Sequence, residues 1–500
     1  MKRIAAPVSL FLFAAAAIML MMPRYSYNDP DTFWHIELGR YMIRHGAVLH
    51  HAIHTYYQEQ LPYVPHEYAF QIVLAALYEA FGWPGAYVLT ATCLLLLIAG
   101  MDRLTRISRK EIGMAERQML LLPIVLLAAC WTYYNFFTTR PQMVSAWMIV
   151  WFVVCLREFQ FGDRPRMKYA ASMIALSLAV ANFHAGVWLT IAAFTGMAAL
   201  ESLWERRLTP RRIWTFAAVL LAGLANPGGL KSILFILTVT KDNFNMLIDE
   251  WQPIPFSKLT YMPMTLLLLG FAAALPFVLH RKPFRFMLML GVLYLGVSSF
   301  KMNLFMWLFV PYFAATLPEQ VPLLRRPIAW VRERLDVRRY AGIVAAGLVL
   351  GLLLNVASIF FVFPPRVDAK LYPVEEMNFI MERTAGNAET AEAAPRPKVM
   401  APYGASGYVM YRGGNVLCDG RQDPFVTDAS KGALGWNAFQ RSMWGYGEYL
   451  PEIVAGDRPN YVIARSNVSD KLFREWVNLF GEPVFRGSFG SVFAISADLP

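Results

Sequence analysis

The sequence predicts an α-helical multi-pass membrane protein of about eleven crossings, with a small α/β domain at its C-terminal end. Three observations predict it. Apolar runs long enough to cross a bilayer core fill residues 4–363. Clusters of Lys and Arg recur between those runs. After residue 363 the composition becomes that of an ordinary soluble domain.

The chain has 500 residues, of which 57% are hydrophobic and 16% charged. Average soluble domains are roughly 45–50% apolar and about 25% charged. Residues 364–500 carry 14 basic against 16 acidic side chains, so the net +11 of the chain is concentrated before residue 364. A basic balance can mark nucleic-acid binding. Here the basic residues lie in short loops between apolar runs, where they orient a membrane protein, so no nucleic-acid partner is expected. Cys93, Cys130 and Cys155 fall inside apolar runs. Cys418 stands alone after them, which leaves the C-terminal part without an internal disulfide. No CxxC or Cys/His metal spacing occurs. Lys2 and Arg3 precede an apolar stretch that ends in Met-Met-Pro with no A-x-A-like cleavage site. Residues 1–22 therefore read as an uncleaved first helix.

In order, the expected crossings are 4–22, 85–101, 118–136, 143–160, 168–183, 186–203, 213–226, 259–279, 285–299, 303–317 and 340–362. Two further apolar stretches, 67–82 and 230–240, are ambiguous. Loop charge decides between the possibilities. The basic clusters are Lys2/Arg3, Arg103/Arg106/Arg109/Lys110, Arg164/Arg166/Lys168, Arg206/Arg207/Arg211/Arg212, Arg281/Lys282/Arg285 and the run 325–339. With eleven crossings every cluster falls on the cytoplasmic side. A lone crossing at 67–82 would send all later clusters outside, so that stretch is expected to be interfacial or re-entrant. The same reasoning demotes 230–240.

The outer face then receives residues 28–66, 138–142, 182–186, 226–258, 298–303 and everything after Pro364. Residues 1–363 form the membrane domain and 364–500 the extracytoplasmic one. In the latter, 461–464 and 491–495 read as strands, 375–383 and 470–480 as helices, and 384–398 as a flexible loop.

The first outer loop reads Asn28-Asp29-Pro30-Asp31-Thr32-Phe33-Trp34-His35. Pro30 favours a turn, and Asp31 is suited to cap the helix that follows. His35 lies one helical turn beyond Asp31, on the same face. Trp34 and Tyr41 suit a helix lying at a membrane surface. A capped interfacial helix with ordinary polar decoration would look the same. His66-Glu67 ends this loop, and could bind a metal or an anionic head group, or simply start an interfacial helix. Further polar groups stand at outer helix ends: Arg140-Pro141-Gln142, Asn182-Phe183-His184, Asn226-Pro227, Glu250-Trp251 and Lys301. Ionisable groups at membrane depth are costly and usually functional. Arg140 and Lys301 are outer-side cations, against the charge rule. Neutralising a phosphate or pyrophosphate would explain the exception, and so would a salt bridge to Glu67 or Glu250.

The Asp29-Pro30-Asp31-x-x-Trp34-His35 loop resembles the first outer loop of the GT-C superfamily, multi-spanning glycosyltransferases that use lipid-phosphate-linked sugars. A closer resemblance is to a bacterial multi-pass, glycosyltransferase-like family with a D-x-D-x-W-W-H loop. Its later motifs are H-E-W, R-P-Q, N-x-H-G, N-P-x-G, E-W-Q-P and D-G-R. Here they read His66-Glu67-Tyr68, Arg140-Pro141-Gln142, Asn182 to Gly186, Asn226 to Gly229, Glu250 to Pro253 and Asp419-Gly420-Arg421. Tyr372-Pro373-Val374 fits as well. Phe33 replaces the first Trp, Tyr68 replaces another, and Ala185 interrupts N-x-H-G, with every ionisable position kept.

The resemblance implies sugar transfer from a polyprenyl-phosphate donor to a glycan, lipid or protein acceptor of the cell envelope. Asp31, then Asp29, matches the acidic base or metal ligand of that loop, with His35 beside it. Arg140, Lys301 and His184 would meet the departing phosphate. The carboxylate pair Asp29 and Asp31 suits Mg2+ or Mn2+ without deciding the need for one. Asp419, Arg421 and Asp423 are expected on an exposed turn, where they would bind acceptor or simply shape the turn. Two other classes stay open: a transporter or lipid-carrier translocase without covalent chemistry, and a non-catalytic scaffold of transferase ancestry.

Overall fold

The computed structural model describes residues 29–57, 60–114, 138–161, 166–239, 249–279, 282–322, 367–386, 396–421, 423–426 and 450–495, with single positions at 125, 128, 129, 131, 132, 136 and 326. The crossings expected at 4–22 and 340–362, most of 118–136, the basic run 325–339 and most of the loop 384–398 lie outside these residues. The chain is mainly helical and divides into two compact units. One draws on Tyr87–Ile236 and Asn243–Pro364. The other joins Pro23–Ala86 to Pro365–Pro500.

The helices are α1 (Pro30–His45), α2 (Tyr68–Phe81), α3 (Trp83–Glu111), α4 (Pro141–Phe161), α5 (Met167–Phe183), α6 (Trp188–Trp204), α7 (Pro210–Ala222), α8 (Leu230–Val239), α9 (Met262–Leu279), α10 (Pro283–Ser298) and α11 (Asn303–Ala314). After these come α12 (Val374–Gly386), α13 (Tyr403–Tyr411), α14 (Leu450–Asp457) and α15 (Asp470–Phe480), besides two four-residue helices.

In the first unit, Trp83–Glu111, Pro141–Phe161, Ala185–Trp204 and Leu259–Val278 are long and apolar enough to cross a membrane. Several helices open on Pro, at 141, 210 and 283, where the missing N–H is not needed. Thr209 caps α7 through its side chain. Helix α4 is apolar and buried on nearly every side, as a central helix must be. Helices α6, α7 and α9 instead leave large apolar side chains exposed, among them Leu203, Leu221, Leu266 and Leu269, the surface a bilayer would cover. Trp204 and Trp214 are exposed beside Arg206, Arg207 and Arg211, as in an interfacial aromatic belt.

The basic helix ends of the first unit hold more than loop charge. Arg157 is fully buried, donating to Glu111 at 2.7 Å and to Glu201. Arg285 is also fully buried, donating to Ser108 Oγ at 2.6 Å and Thr316 Oγ1 at 2.5 Å. Tyr312 donates its hydroxyl to Glu111 at 2.6 Å. Arg285 and the nearly fully buried Arg109 and Arg212 thus tie helix ends together, where the sequence reading treats them as loop charge.

In the second unit a four-stranded sheet has the order β1-β2-β4-β3, with β1 Val399–Met400, β2 Tyr461–Arg465, β3 Phe485–Arg486 and β4 Gly490–Ala494. β1 runs parallel to β2, and the other pairs are antiparallel, with Tyr461 opposite Ala494. Strands β2 and β4 and helices α12 and α15 stand where the sequence places them, while β1, β3, α13 and α14 are absent from that reading. The core they build is shared with the first outer loop. Phe33 of α1 is fully buried and packs edge-on against Tyr372 at 4.7 Å and Tyr408 at 5.0 Å, between ring centroids. Helix α2, the demoted 67–82 stretch, packs along α1. Gly39 allows the close approach: a Cβ there would fall 2.1 Å from the Gln71 carbonyl oxygen.

Candidate functional site

The site residues fall in two groups, one in each unit. In the second unit, α1 begins with Asp29 as its N-cap. Asp29 has extended backbone and its Oδ1 accepts the Asp31 N–H at 3.0 Å. The expectation that Asp31 caps the helix is corrected. Pro30 occupies the first helical position and holds the residue before it in extended geometry, which is what a cap requires. Asp31 is therefore a first-turn residue, near the positive end of the helix dipole, where a carboxylate is favoured. Its Oδ1 accepts the Trp34 indole N–H at 3.0 Å. Trp34 is buried rather than lying at a membrane surface, because that indole N–H reaches inward to Asp31.

His35 is buried, with its ring tilted 35° beside Trp34 and edge-on to Phe70. Its Nε2 lies 4.0 Å from Glu67, and His66 Nε2 lies 3.8 Å from the other oxygen of the same carboxylate. His35, His66 and Glu67 thus come together.

Asp419-Gly420-Arg421 is not an exposed turn. Asp419 and Arg421 are both fully buried and form a two-point pair, Nε to Oδ1 at 2.8 Å and Nη2 to Oδ2 at 2.5 Å. Asp419 also accepts the Arg421 backbone N–H, and Arg421 donates to the Ile53 carbonyl at 2.9 Å. The charges can be buried because they satisfy each other. Gly420, between them, faces Asp31. A Cβ on it would sit 2.3 Å from Asp31 Oδ1 and 2.7 Å from Trp34 Nε1. Asp423 opens the short helix Asp423–Val426.

Sequence reasoning missed the neighbours of Glu37. Its buried carboxylate accepts from Arg396 at 2.6 Å and lies 3.3 Å from His54 Nε2. Burial alone would raise the Glu37 carboxyl, but His54 and Arg396 outweigh it and hold it below its ordinary value. Burial lowers His54, against the pull of Glu37. The partners are far apart in sequence, and His54 reaches its place through a left-handed backbone, φ 59°. Neither leaves a spacing signal.

In the first unit, the polar helix ends make several separate contacts. Arg140 donates to Glu250 at 2.8 Å, and Lys301 Nζ is 3.8 Å from the other Glu250 oxygen. Lys301 also stands 4.7 Å over the Trp251 ring. Ser145, in the first turns of α4 after Arg140, is 2.9 Å from His184 Nδ1. Asn182 donates to the Ala225 carbonyl at 2.9 Å, next to the Asn226-Pro227 break. Of the two salt-bridge partners weighed for Arg140 and Lys301, Glu250 is the one in place. Burial would raise the Glu250 carboxyl, but Arg140 and Lys301 outweigh that and lower it.

Among the described residues, no group of three or more His, Cys, Asp or Glu side chains gathers as a metal site would need. Asp29 and Asp31 each commit an oxygen to an N–H donor.

No protein-family model matches the sequence, and no curated protein matches it either. Solved structures do. ArnT from Cupriavidus metallidurans in the apo state superposes with a TM-score of 0.53 at 15% identity, over 99% of each chain. The same protein bound to undecaprenyl phosphate gives 0.50 at 15% identity, over 98% of each chain. The apo oligosaccharyltransferase of Archaeoglobus fulgidus gives 0.55 at 11% identity, over 92% of this chain and 69% of that one. At such identities the likeness is one of fold, and it is the fold that the resemblance of the Asp29 to His35 loop implies.

Proposed function

We propose that the protein is a membrane glycosyltransferase that moves a sugar from a polyprenyl-phosphate donor to a cell-envelope acceptor at the outer membrane face. Asp31 is the observation that carries this reading. It is a carboxylate at a helix N-terminus, oriented by the Trp34 N–H and backed by Gly420. Such a group is built to take a proton at one fixed point. The acceptor hydroxyl oxygen bonds to the anomeric carbon of the donor sugar. The bond from that carbon to the phosphate oxygen breaks, and the lipid phosphate leaves with the electron pair. Asp31 receives the hydroxyl proton. Arg140 and Lys301, with His184 beside the start of α4, meet the charge on the departing phosphate. His35 and His66 hold Glu67, and Asp29 holds the turn. The fold likeness to a protein solved with undecaprenyl phosphate supports a lipid-phosphate donor.

The same reading has the N-terminus cytoplasmic, eleven crossings, and residues 364–500 on the outer side. Asp419 and Arg421 then act as framework and not as acceptor contacts, since both are buried.

The test is to present the purified protein in lipid nanodiscs with a panel of undecaprenyl-phosphate sugars and envelope acceptors. One donor should be split, with undecaprenyl phosphate released in step with sugar transfer. Donors that cross the bilayer of a proteoliposome intact, with none split, would mean a translocase.

A further inference from the structure

Glu250 forms an ion pair whose acid is its most exposed member. Its side chain is 40% exposed, against 17% for Arg140 and 24% for Lys301. The backbone around it is tied down. Lys301 N–H donates to the Glu250 carbonyl at 2.8 Å, and Phe300 N–H donates to the Gln252 carbonyl at 2.9 Å. Lys301 is further held over Trp251. The Glu250 side chain can turn away by rotation about its own bonds, without breaking either backbone bond. A carboxylate presents to a guanidinium and an ammonium the same pair of anionic acceptor oxygens that a phosphate does.

We propose that Glu250 holds the place of the donor's phosphate. Its carboxylate occupies Arg140 and Lys301 in the substrate-free protein, and the lipid-linked phosphate displaces it on arrival. This rests on reading Arg140 and Lys301 as phosphate ligands. The device keeps two cations in position near the membrane without leaving them uncompensated. It also makes donor affinity a difference between two anions competing for one pair of cations.

The competition predicts a gain on mutation, which a purely structural acid does not. The full chain in detergent micelles is titrated with undecaprenyl phosphate, with undecaprenol as the tail-only control, and binding is read by native mass spectrometry. Glu250→Gln should bind undecaprenyl phosphate roughly tenfold more tightly, the size expected for one charge-assisted contact. Arg140→Gln and Lys301→Gln should weaken it by a similar factor, and undecaprenol should be unaffected throughout. Glu250→Ala serves if the Gln variant fails to fold. Weaker binding in all the variants would keep the phosphate site but overturn the place-holding role, with Glu250 orienting the cations instead. Unchanged affinity in the Arg140 and Lys301 variants would remove the phosphate site itself. Equal tightening for undecaprenol would show that the effect belongs to the tail and would also overturn the proposal.

Discussion

Gly420 lies directly against Asp31: a methyl group on Gly420 would fall 2.3 Å from Asp31 Oδ1. The turn that carries this glycine is held on both sides by the buried Asp419–Arg421 pair. The C-terminal part of the chain thus supplies a wall for Asp31 at the start of α1. Gly420→Ala should push aside both the Asp31 carboxylate and the Trp34 indole that donates to it, because a Cβ there would fall 2.3 Å from Asp31 Oδ1 and 2.7 Å from Trp34 Nε1. Sugar transfer should fall by roughly 100-fold, the usual effect of a misplacement near 1 Å. The melting temperature should fall modestly, since buried Trp34 must also shift. Full activity in this variant would place the working position of Asp31 elsewhere.

The two aspartates of the loop should separate cleanly in stability measurements. Asp29→Ala removes the N-cap of α1 and should cost about 0.5–2 kcal/mol. Asp29→Asn keeps a capping oxygen and should cost only a few tenths of that range. A larger loss from Asp31→Ala than from Asp29→Ala, in thermal melts of purified protein, would contradict the capping assignment.

Much of this arrangement is legible in the sequence, and what is not has physical causes. Apolar periodicity places α4, α6, α9 and α15 because each is long or strongly patterned. Asp29, Asp31, His35 and Glu67 stand out because ionisable groups beside an apolar run are costly. The cap itself is misread: the proline between the two aspartates selects Asp29, while residue type alone favours neither. The Asp419-Gly420-Arg421 segment misleads because a tight-turn sequence looks exposed until its charges are seen to satisfy each other. Arg396, bound to Glu37 from a distant segment, leaves no local trace at all.

The Glu37 cluster should make the second unit sensitive to acid. The Glu37 carboxyl is held below its ordinary 4.5, so its contribution is present above that value and lost as pH falls through the lower folded value. His54 is pushed below its ordinary 6.5, so its protonation also favours unfolding as pH falls below that value. Glu376, raised by burial, works the opposite way and softens the loss. Glu37→Gln should lower the melting temperature at neutral pH and flatten its fall below pH 4.5. Parallel melting curves for the two proteins from neutral to acid pH would show that Glu37 does not carry the effect.

Arg157 bridges Glu111 and Glu201 with no exposure to solvent. Removing one member leaves charge buried without a partner, at a cost of about 3–5 kcal/mol. Arg157→Met should therefore destabilise the first unit severely, and the double replacement Arg157→Met with Glu111→Gln should recover part of the loss. A single variant as stable as the parent, by size exclusion and melting in detergent, would mean the network contributes nothing.

The proposed orientation is open to chemical labelling. A cysteine introduced near residue 430 should react with an impermeant thiol reagent on intact cells. Reaction only after lysis would reject both the eleven crossings and the outward placement of residues 364–500.

The central claim is that Asp31 takes the acceptor's proton during sugar transfer. The direct measurement is single-turnover transfer from the accepted polyprenyl-phosphate donor by the parent protein and by Asp31→Asn, at matched donor occupancy. The amide keeps the size of the side chain and cannot accept the proton. The account predicts that Asp31→Asn binds donor normally, melts normally and loses transfer by at least about 100-fold, as expected for a missing general base. Normal transfer by a folded, donor-bound Asp31→Asn would contradict it and move the search to His35 or Glu67.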